Sequence, residues 1–220
     1  MSGASVTGRE SDRIEDELRA LILTLELEPG LAVSEGVLMK RFGWGRTPLR
    51  EAFQRLAEQS LLQIVPRQGV VVTPLNVFDF VEVMDAMAIV IGPAASLACK
   101  RLSETQLNQL DEIVAQAEST GVQGNYRAAS RLDYEFHSLL AQATGNRYLS
   151  RYLIHLHQVA TRFNLASWQR EGGVQISVAE HRRIVETLRS RDPSACKTVM
   201  LEHIQNARHR VVGMAVISDL

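Results

Sequence analysis

The sequence FGWGRTPLREAFQRL, residues 42–56, predicts a glycine-containing turn that leads into a short basic helix. Thr47 can cap this helix, and Pro48 suits its first position, because a proline lacks the amide that would have no partner there. The apolar residues Leu49, Phe53 and Leu56 recur at steps of four and three residues, which is the spacing of one helix face. We therefore predict a helix that begins at Pro48, packs on one face and leaves the other face free to contact a partner.

The residues on either side of this helix predict a helix-turn-helix followed by a β wing. Upstream, Ser34 can cap an earlier short helix with an apolar face made by Val37, Leu38 and Phe42. Downstream, the β-prone runs 61–65 and 70–72 flank the turn residues Pro66-Arg67-Gln68-Gly69. Arg67 would lie at the tip of this hairpin, where it can reach a phosphate or a groove of DNA.

Positive charge is concentrated in the same segment. Residues 36–69 contain six lysines and arginines and two glutamates, a net charge of +4, whereas the whole chain has a net charge of −1. A local basic surface on a chain that is not basic overall is typical of a nucleic-acid contact.

Residues 11–75 resemble the winged helix-turn-helix domain of the GntR family of bacterial transcription regulators. The resemblance rests on Pro29-Gly30, the run GRTPLREA at 45–52, Leu56 with Leu61, and Gly69. It implies that Arg46, Thr47 and Arg50 contact DNA and that Gly69 approaches the DNA backbone closely. Two positions depart from the family pattern, since Gly45 stands where Ser or Thr is usual and Gly36 where Arg is frequent. Contacts from those two side chains are therefore not expected.

Length and composition predict a mainly α protein with two domains, because 220 residues of which 45% are hydrophobic can form two cores. We divide the chain into a flexible tail at 1–10, a winged helix-turn-helix at 11–73, a linker at 74–75 and an all-α domain at 76–220. Ser11 is the predicted cap of the first helix. Cys99 and Cys196 lack metal-binding spacing and are expected to be buried thiols.

The sequence gives no indication of a membrane or a secretory route. No apolar run approaches the roughly 20 residues of a membrane span, and the N-terminus lacks the pattern of a signal peptide. We therefore expect a cytoplasmic protein.

Caps and breaks in residues 76–220 predict a bundle of six helices. The first begins at Asn76 and contains Gly92-Pro93, the second begins with a capping box of Ser103 and Gln106, and the next two meet at Thr144-Gly145. After a break at Gly172-Gly173, Ser177 and Glu180 form a second predicted capping box, and the last helix starts at Asp192-Pro193.

Candidate metal ligands lie on three of these helices. Asp133 and His137 are four residues apart and so leave the same face of one helix. His181 lies ten residues before Arg191 and His203 eleven after Asp192, so an antiparallel hairpin would bring both histidines to one level, roughly 15 Å from the turn. A carboxylate with three imidazoles suits zinc, nickel or manganese. On spacing alone His155 and His157 are rivals, since they lie about as far past Gly145 as the first pair lies before it.

Residues 76–216 resemble the FCD ligand-binding domain of the FadR branch of the GntR family, and this resemblance decides between the rivals. Metal-binding FCD domains carry Asp, then His four residues on, then one His on each of the last two helices. The phrases DYEFHSLL, GNRYL, EHRRIV and EHI match that pattern. The resemblance therefore implies Asp133, His137, His181 and His203 as ligands of a divalent metal ion, with zinc the first choice.

One departure from the FCD pattern concerns the effector. These domains commonly carry Arg and Glu on the first helix, spaced as Met87 and Ile91 are here, with the Arg available to an acidic effector. Because both residues are apolar in this chain, Arg162 becomes the candidate cation for binding an effector, with an exposed or salt-bridged arginine as the alternative.

The resulting hypothesis is a homodimeric DNA-binding regulator, expected to act as a repressor. It would bind a near-palindromic double-stranded operator and respond to a small organic acid held at or near the metal. A metal-dependent hydrolase is the alternative from another class, because the same ion can activate water. It is the weaker alternative, since no Glu or Ser is obviously placed as a general base and the basic helix is left unexplained. A regulator with a purely structural metal is a further alternative.

Overall fold

Helices form most of the chain in the computed structural model, which describes residues 3–67, 69–171 and 173–218. The chain divides into two compact units, Met1–Leu75 and Asn76–Leu220. The first unit contains a small antiparallel sheet with three helices, and the second is a helical bundle. The predicted fold class, a winged helix-turn-helix followed by an all-α bundle, is confirmed.

The first unit is built from helices α1 (Gly3–Leu23), α2 (Glu35–Phe42) and α3 (Arg46–Glu58) and strands β1 (Ala32–Val33), β2 (Leu62–Val65) and β3 (Gly69–Val72). Helix α1 packs on α3, and both contribute fully buried side chains, among them Ile14, Leu18, Leu49 and Leu56. As predicted, the Ser34 side chain caps α2 by accepting a hydrogen bond from the amide of Val37. The predicted helix-turn-helix is therefore held against a supporting helix by a continuous apolar core.

The wing is the β2–β3 hairpin, and the sheet has the strand order β1-β3-β2. Leu62 pairs with Val72 and Val65 with Gly69, so the two strands of the hairpin are in register from end to end. Gly69 has a φ of 93°, a backbone conformation that residues other than glycine rarely adopt. The short strand β1 adds to the sheet a third strand that the sequence did not predict.

Two predicted helix starts in this unit are wrong. Helix α1 begins at Gly3, so Ser11 lies inside it as a buried residue, and the predicted tail at 1–10 is helical from Gly3 onward. Helix α3 begins at Arg46 with Gly45 as its cap, so Thr47 is not the cap and Pro48 is not the first residue. None of the first three amides of a helix has an intrahelical partner, so Pro48 is tolerated as the third residue as readily as the first.

The second unit contains α4 (Val77–Arg101), α5 (Glu104–Val122), α6 (Tyr126–Ala143), α7 (Arg147–Glu171), α8 (Val174–Arg189) and α9 (Pro193–Ser218). The described part of the unit thus has the six helices that the sequence predicts. Asn76 caps α4, and Ser103 with Gln106 forms the predicted capping box of α5. Helix α4 packs against α9, α7 and α6, and α5 lies between α6 and α8.

The predicted capping box at Ser177 and Glu180 is wrong. Helix α8 begins at Val174 with Gly173 as its cap, and Ser177 is buried within the helix. Val174 is itself buried and lies against Gly121, where an added Cβ would come within 3.0 Å of the valine side chain. Apolar packing of Val174 therefore extends the helix beyond the predicted start. Of the predicted break at 172–173, Gly172 lies outside the described residues.

Helix α4 corrects the expectation that no segment approaches a membrane span, because by length and apolar composition it meets that test. Its central position explains part of this character, since 39% of its apolar segment is buried. One face is buried among α6, α7 and α9, and Phe80, Met84 and Met87 are among the largest fully buried side chains of the chain. The core helix of a bundle has the same composition as a membrane span.

Candidate metal centre and DNA-contacting surface

Four side chains of metal-ligating type meet inside the bundle, and we call them the Asp–His cluster: Asp133 and His137 on α6, His181 on α8 and His203 on α9. All four are buried, with at most 5% of each side chain exposed. The α6 pair shares a helix face because of its spacing, and the α8–α9 hairpin brings the two later histidines to one level, as predicted.

The three histidines converge closely enough to hold one ion. Their ligand atoms all lie within 4.8 Å of one another, and His203 Nε2 is 3.4 Å from His137 Nε2. Asp133 Oδ1 lies 3.6 Å from His181 Nε2 and 3.9 Å from His137 Nε2, so the carboxylate adjoins two of the three imidazoles. The ring of Phe136 stacks on His181 with a centroid distance of 4.3 Å, which fixes the plane of that imidazole.

Glu180 orients the cluster from outside and was missed as a functional residue. Its Oε2 accepts a hydrogen bond from His203 Nδ1 at 2.7 Å, which leaves Nε2 of that ring to face His137. Arg210 and Asn206 donate to the same carboxylate, Arg210 at 2.8 and 3.1 Å and Asn206 at 3.0 Å. Histidine ligands of metals commonly donate their second ring nitrogen to a carboxylate in this way.

Burial governs the charges in the cluster. It raises the pKa of the Asp133 carboxyl to about 7, although the positive charge of Arg210 opposes the shift. It lowers the pKa of both His137 and His181 well below the usual value, and the neighbouring histidines add to this effect. Burial alone would raise the pKa of Glu180, but its bonds to His203 and Arg210 bring it down to about 2. His137 and His181 are therefore neutral imidazoles near pH 7, and they lie beside one titratable carboxyl.

Several buried polar atoms in this region have no hydrogen-bond partner among the described residues. They include Asp133 Oδ1, His181 Nε2 and His137 Nδ1. A buried acceptor or donor without a partner costs roughly 1–3 kcal/mol, so such atoms mark a place where a water or an ion can bind. Three neutral imidazoles and one carboxylate are the donor set that zinc and related ions prefer. The residues thus fit a divalent metal ion.

The two rival histidines are separated by the structure. His157 on α7 is buried and stacks on His137 with a centroid distance of 4.1 Å, so it belongs to the wall of the site although it is not one of the three converging histidines. Burial also lowers its pKa, to about 3. His155 is only half-buried, and none of the described contacts of the cluster involves it.

Helix α7 presents a polar face to the interior. His157 and Thr161 are four residues apart, as are Gln158 and Arg162, and all four side chains are buried. Thr161 Oγ1 and Gln158 Oε1 are further buried atoms without a described partner, as is Ser130 Oγ on α6. Arg162 is 1% exposed, and burial lowers the pKa of its guanidinium to about 10.

An apolar cavity of about 20 Å³ borders the cluster on another side. It lies among α4, α6, α7, α8 and α9, and His137 and His157 form part of its wall. Residues of α4 that line it are Ile91, Ala94, Ala95 and Ala98.

The residues expected to contact DNA are exposed in the first unit. Arg46, Thr47 and Arg50 lie in the first turns of α3, and Arg67 and Gly69 lie at the end of the wing. The side chain of Arg50 donates from Nε to Glu35 Oε1 at 2.9 Å across the turn.

Part of the local positive charge is used within the unit. Arg55 forms ion pairs with Asp12 and Glu15 of α1, and Arg41 pairs with Glu26. Arg55 therefore ties α3 to α1. The remaining exposed basic residues of segment 36–69 are Lys40, Arg46, Arg67 and Arg50, of which Arg50 is paired with Glu35.

Together these features define a class of protein: a DNA-binding transcription regulator with a winged helix-turn-helix and a helical domain suited to a ligand. Residues 10–72 match the model of the bacterial regulatory proteins of the gntR family, and residues 82–206 match that of the FCD domain. The chain belongs to the GntR family of bacterial transcription regulators and carries an FCD domain. Its family is one of regulators, not of enzymes.

The similarity to known regulators extends over nearly the whole chain. The HTH-type transcriptional repressor RspR of Escherichia coli K12 is 26% identical over 88% of this chain and 85% of its own length. The uncharacterized HTH-type transcriptional regulator YdhC of Bacillus subtilis is 27% identical, over 87% of this chain and 86% of its own.

Solved structures share the fold. E. coli McbR/YncC superposes with a TM-score of 0.83 at 17% identity, covering 94% of this chain and 98% of its own. A GntR regulator from Rhodococcus sp. RHA1 superposes with a TM-score of 0.77 at 20% identity, covering 92% and 97%.

Proposed function

We propose that this protein is a repressor whose affinity for its operator is controlled by a small carboxylic acid bound beside a divalent metal ion in the bundle. The observation that carries the proposal is the buried Asp–His cluster with its unpartnered Asp133 Oδ1 and His181 Nε2. A fold that needed only a closed core would gain stability from apolar residues in these places. Retaining four buried polar ligands indicates that they bind something.

Zinc is the first choice of metal, with nickel and manganese as the alternatives. Asp133, His137, His181 and His203 would hold the ion, and Glu180 would keep His203 in the tautomer with Nε2 free. When bound, the ion would supply a Lewis-acidic site that attracts a carboxylate oxygen.

The side chains around the cluster support an acid as the effector. Arg162 is a buried cation on the polar face of α7, and the Ser130 and Thr161 hydroxyls on facing helices are donors without a described partner. A buried guanidinium favours an anion nearby, and hydroxyls can complete its hydrogen bonds. These groups support a carboxylate as the recognised part of the effector, with Arg162 as its binding residue.

The operator is read by the first unit. Arg46, Thr47 and Arg50 are exposed together at the start of α3, which suits insertion of that end into the major groove. Arg67 and Gly69 would contact the DNA backbone from the wing. Because the partner is chromosomal DNA, we place the protein in the cytoplasm.

A homodimer follows from the size of the reading surface. One recognition helix covers only a few base pairs, so two copies related by a two-fold axis would bind a near-palindrome. Large apolar side chains remain exposed on α4 (Phe78, Ile89) and α7 (Tyr148, Tyr152), which supports the bundle as the dimer contact. The exposed acids of α4 (Asp79, Glu82, Asp85) and the basic start of α7 (Arg147, Arg151) offer complementary charges.

One series of operator-binding measurements tests the proposal. His181→Ala and His203→Ala should each lower metal content and melting temperature, because an ion bound only to the folded state stabilises it by mass action. Both variants should still bind operator DNA but no longer respond to the effector. Arg46→Ala and Arg50→Ala should show the opposite behaviour: unchanged metal content, and operator affinity reduced about tenfold or more.

His155→Ala is the matched control for the metal, since that residue makes no described contact with the cluster. Full metal occupancy in the double variant His181→Ala/His203→Ala would refute the metal assignment. Unchanged operator binding in both arginine variants would refute α3 as the recognition helix.

A further inference from the structure

The apolar cavity beside the Asp–His cluster is built by small residues. Four alanines from α4 and α6 line it, namely Ala94, Ala95, Ala98 and Ala141. None of the described residues lining it is a lysine or an arginine. At about 20 Å³ it has room for one group the size of a water or a methyl, and an apolar cavity of this kind does not hold water well.

The cavity and the polar groups of the cluster are adjacent. His137 and His157 border the cavity, while Asp133 and Thr161 lie one helical turn away from them on the same two helices, a distance of roughly 6 Å. A ligand that spans one turn would therefore have its polar end beside the proposed metal ion and the Thr161 hydroxyl, and its other end among alanine methyl groups.

We propose that the effector is a short aliphatic monocarboxylate, about three to four carbons long, whose methyl end fills the cavity lined by Ala94, Ala95, Ala98 and Ala141. This inference rests on the proposed function, since it assigns the chemical class of the same effector. Burying one methyl or methylene strengthens binding by about fourfold. A second carboxylate in the same place would lose its hydration without a cation to replace it, so dicarboxylates are rejected.

The test uses the zinc-loaded protein and two acids of one shape. Crotonate and fumarate are both trans four-carbon acids, and they differ only at one end, which is a methyl group in crotonate and a carboxylate in fumarate. The trans geometry prevents fumarate from chelating a single ion through both carboxylates. Calorimetry should show crotonate binding, with fumarate about tenfold weaker or more. Ala98→Val and Ala141→Val, which fill the cavity from different helices, should each weaken crotonate binding about tenfold.

Ala88→Val is the matched control, because Ala88 lies on α4 but is exposed. Zinc content and operator binding without acid should stay unchanged in all three variants, which shows that each is folded. Fumarate binding as tight as crotonate binding, or full crotonate affinity in both cavity variants, would overturn the assignment of the class while leaving the metal-dependent regulator intact. Binding of neither acid to the zinc-loaded protein would overturn this inference, whereas failure of the protein to take up a divalent metal would overturn the proposed function.

Discussion

Asp133 is the residue whose chemistry depends most on whether an ion is present. It is 4% exposed, its Oδ1 has no described hydrogen-bond partner, and its nearest polar neighbours are two neutral imidazoles. Burial raises its pKa to about 7, so near neutral pH the metal-free cluster holds a proton there for part of the time. A divalent ion must displace that proton, because only the carboxylate is a ligand.

This residue would make binding of the proposed metal ion depend on pH in a defined direction. Since the pKa of Asp133 is raised to about 7 in the metal-free protein, one proton is released per ion below that pH and none well above it. The zinc affinity should therefore rise by about tenfold per pH unit up to about pH 7 and level off above it. His137 and His181 do not add to the slope near neutrality, because their pKa values lie well below 6.5 and both rings are already neutral.

Competition with a chelating dye between about pH 5.5 and 8.5 measures this dependence. Asp133→Asn keeps the shape of the side chain and removes the titration, so it should bind zinc more weakly but with a flatter pH profile. An equally steep profile in Asp133→Asn would mean that another group releases the proton.

At the scale of the helices, the sequence predicted which elements exist better than where they begin. Asn76 and Ser103 cap helices as predicted, because each lies between a polar break and a long amphipathic run. The starts of α3 and α8 were missed for a common reason: residues before the predicted cap pack into the core. Trp44 is 2% exposed and stacks on Phe42 just before α3, and the buried Val174 starts α8.

The candidate site was predictable to the extent that its residues follow helical spacing. Asp133 and His137 share a face by their four-residue separation, and the α8–α9 hairpin aligns His181 with His203. Spacing could not exclude His155 and His157 as ligands, because that depends on which face of α7 turns inward. Glu180 was read as a helix cap, since nothing in the sequence shows that a residue next to His181 reaches a histidine of the following helix.

Glu180 therefore gives a prediction about the α8–α9 pair. Glu180→Gln keeps the size of the side chain but loses the charge that binds both His203 and Arg210. Loss of a carboxylate behind a histidine ligand typically lowers metal affinity about 10- to 100-fold, so we expect a loss in that range. Glu186→Gln, at an exposed position of the same helix, should leave zinc affinity unchanged. Equal zinc affinity in the two variants would show that Glu180 does not orient His203.

For the whole molecule, the exposed face of α4 is the feature that a single chain leaves unexplained. Phe78 and Ile89 are each 77% exposed, although α4 supplies much of the bundle core with its other face. Isolated apolar residues are common on surfaces, but α4 exposes two and the neighbouring α7 exposes two tyrosines, and we take these four side chains as the candidate dimer patch. A second copy of the chain is the partner that a near-palindromic operator also requires.

The proposed dimer contact can be tested by placing a charge in this patch. Ile89→Glu adds a carboxylate where the apolar residues of the second copy would exclude water. The new charge also lies near the acids already on α4. The variant should therefore shift the protein from dimer to monomer at micromolar concentration. Operator affinity should fall about tenfold or more with it, because each monomer then binds only one half-site. Val122→Glu is the control, since Val122 is 72% exposed on α5, away from the patch. Light scattering measures the mass, and a melting curve verifies that both variants are folded. A dimer that survives Ile89→Glu but dissociates in Val122→Glu would move the contact to α5.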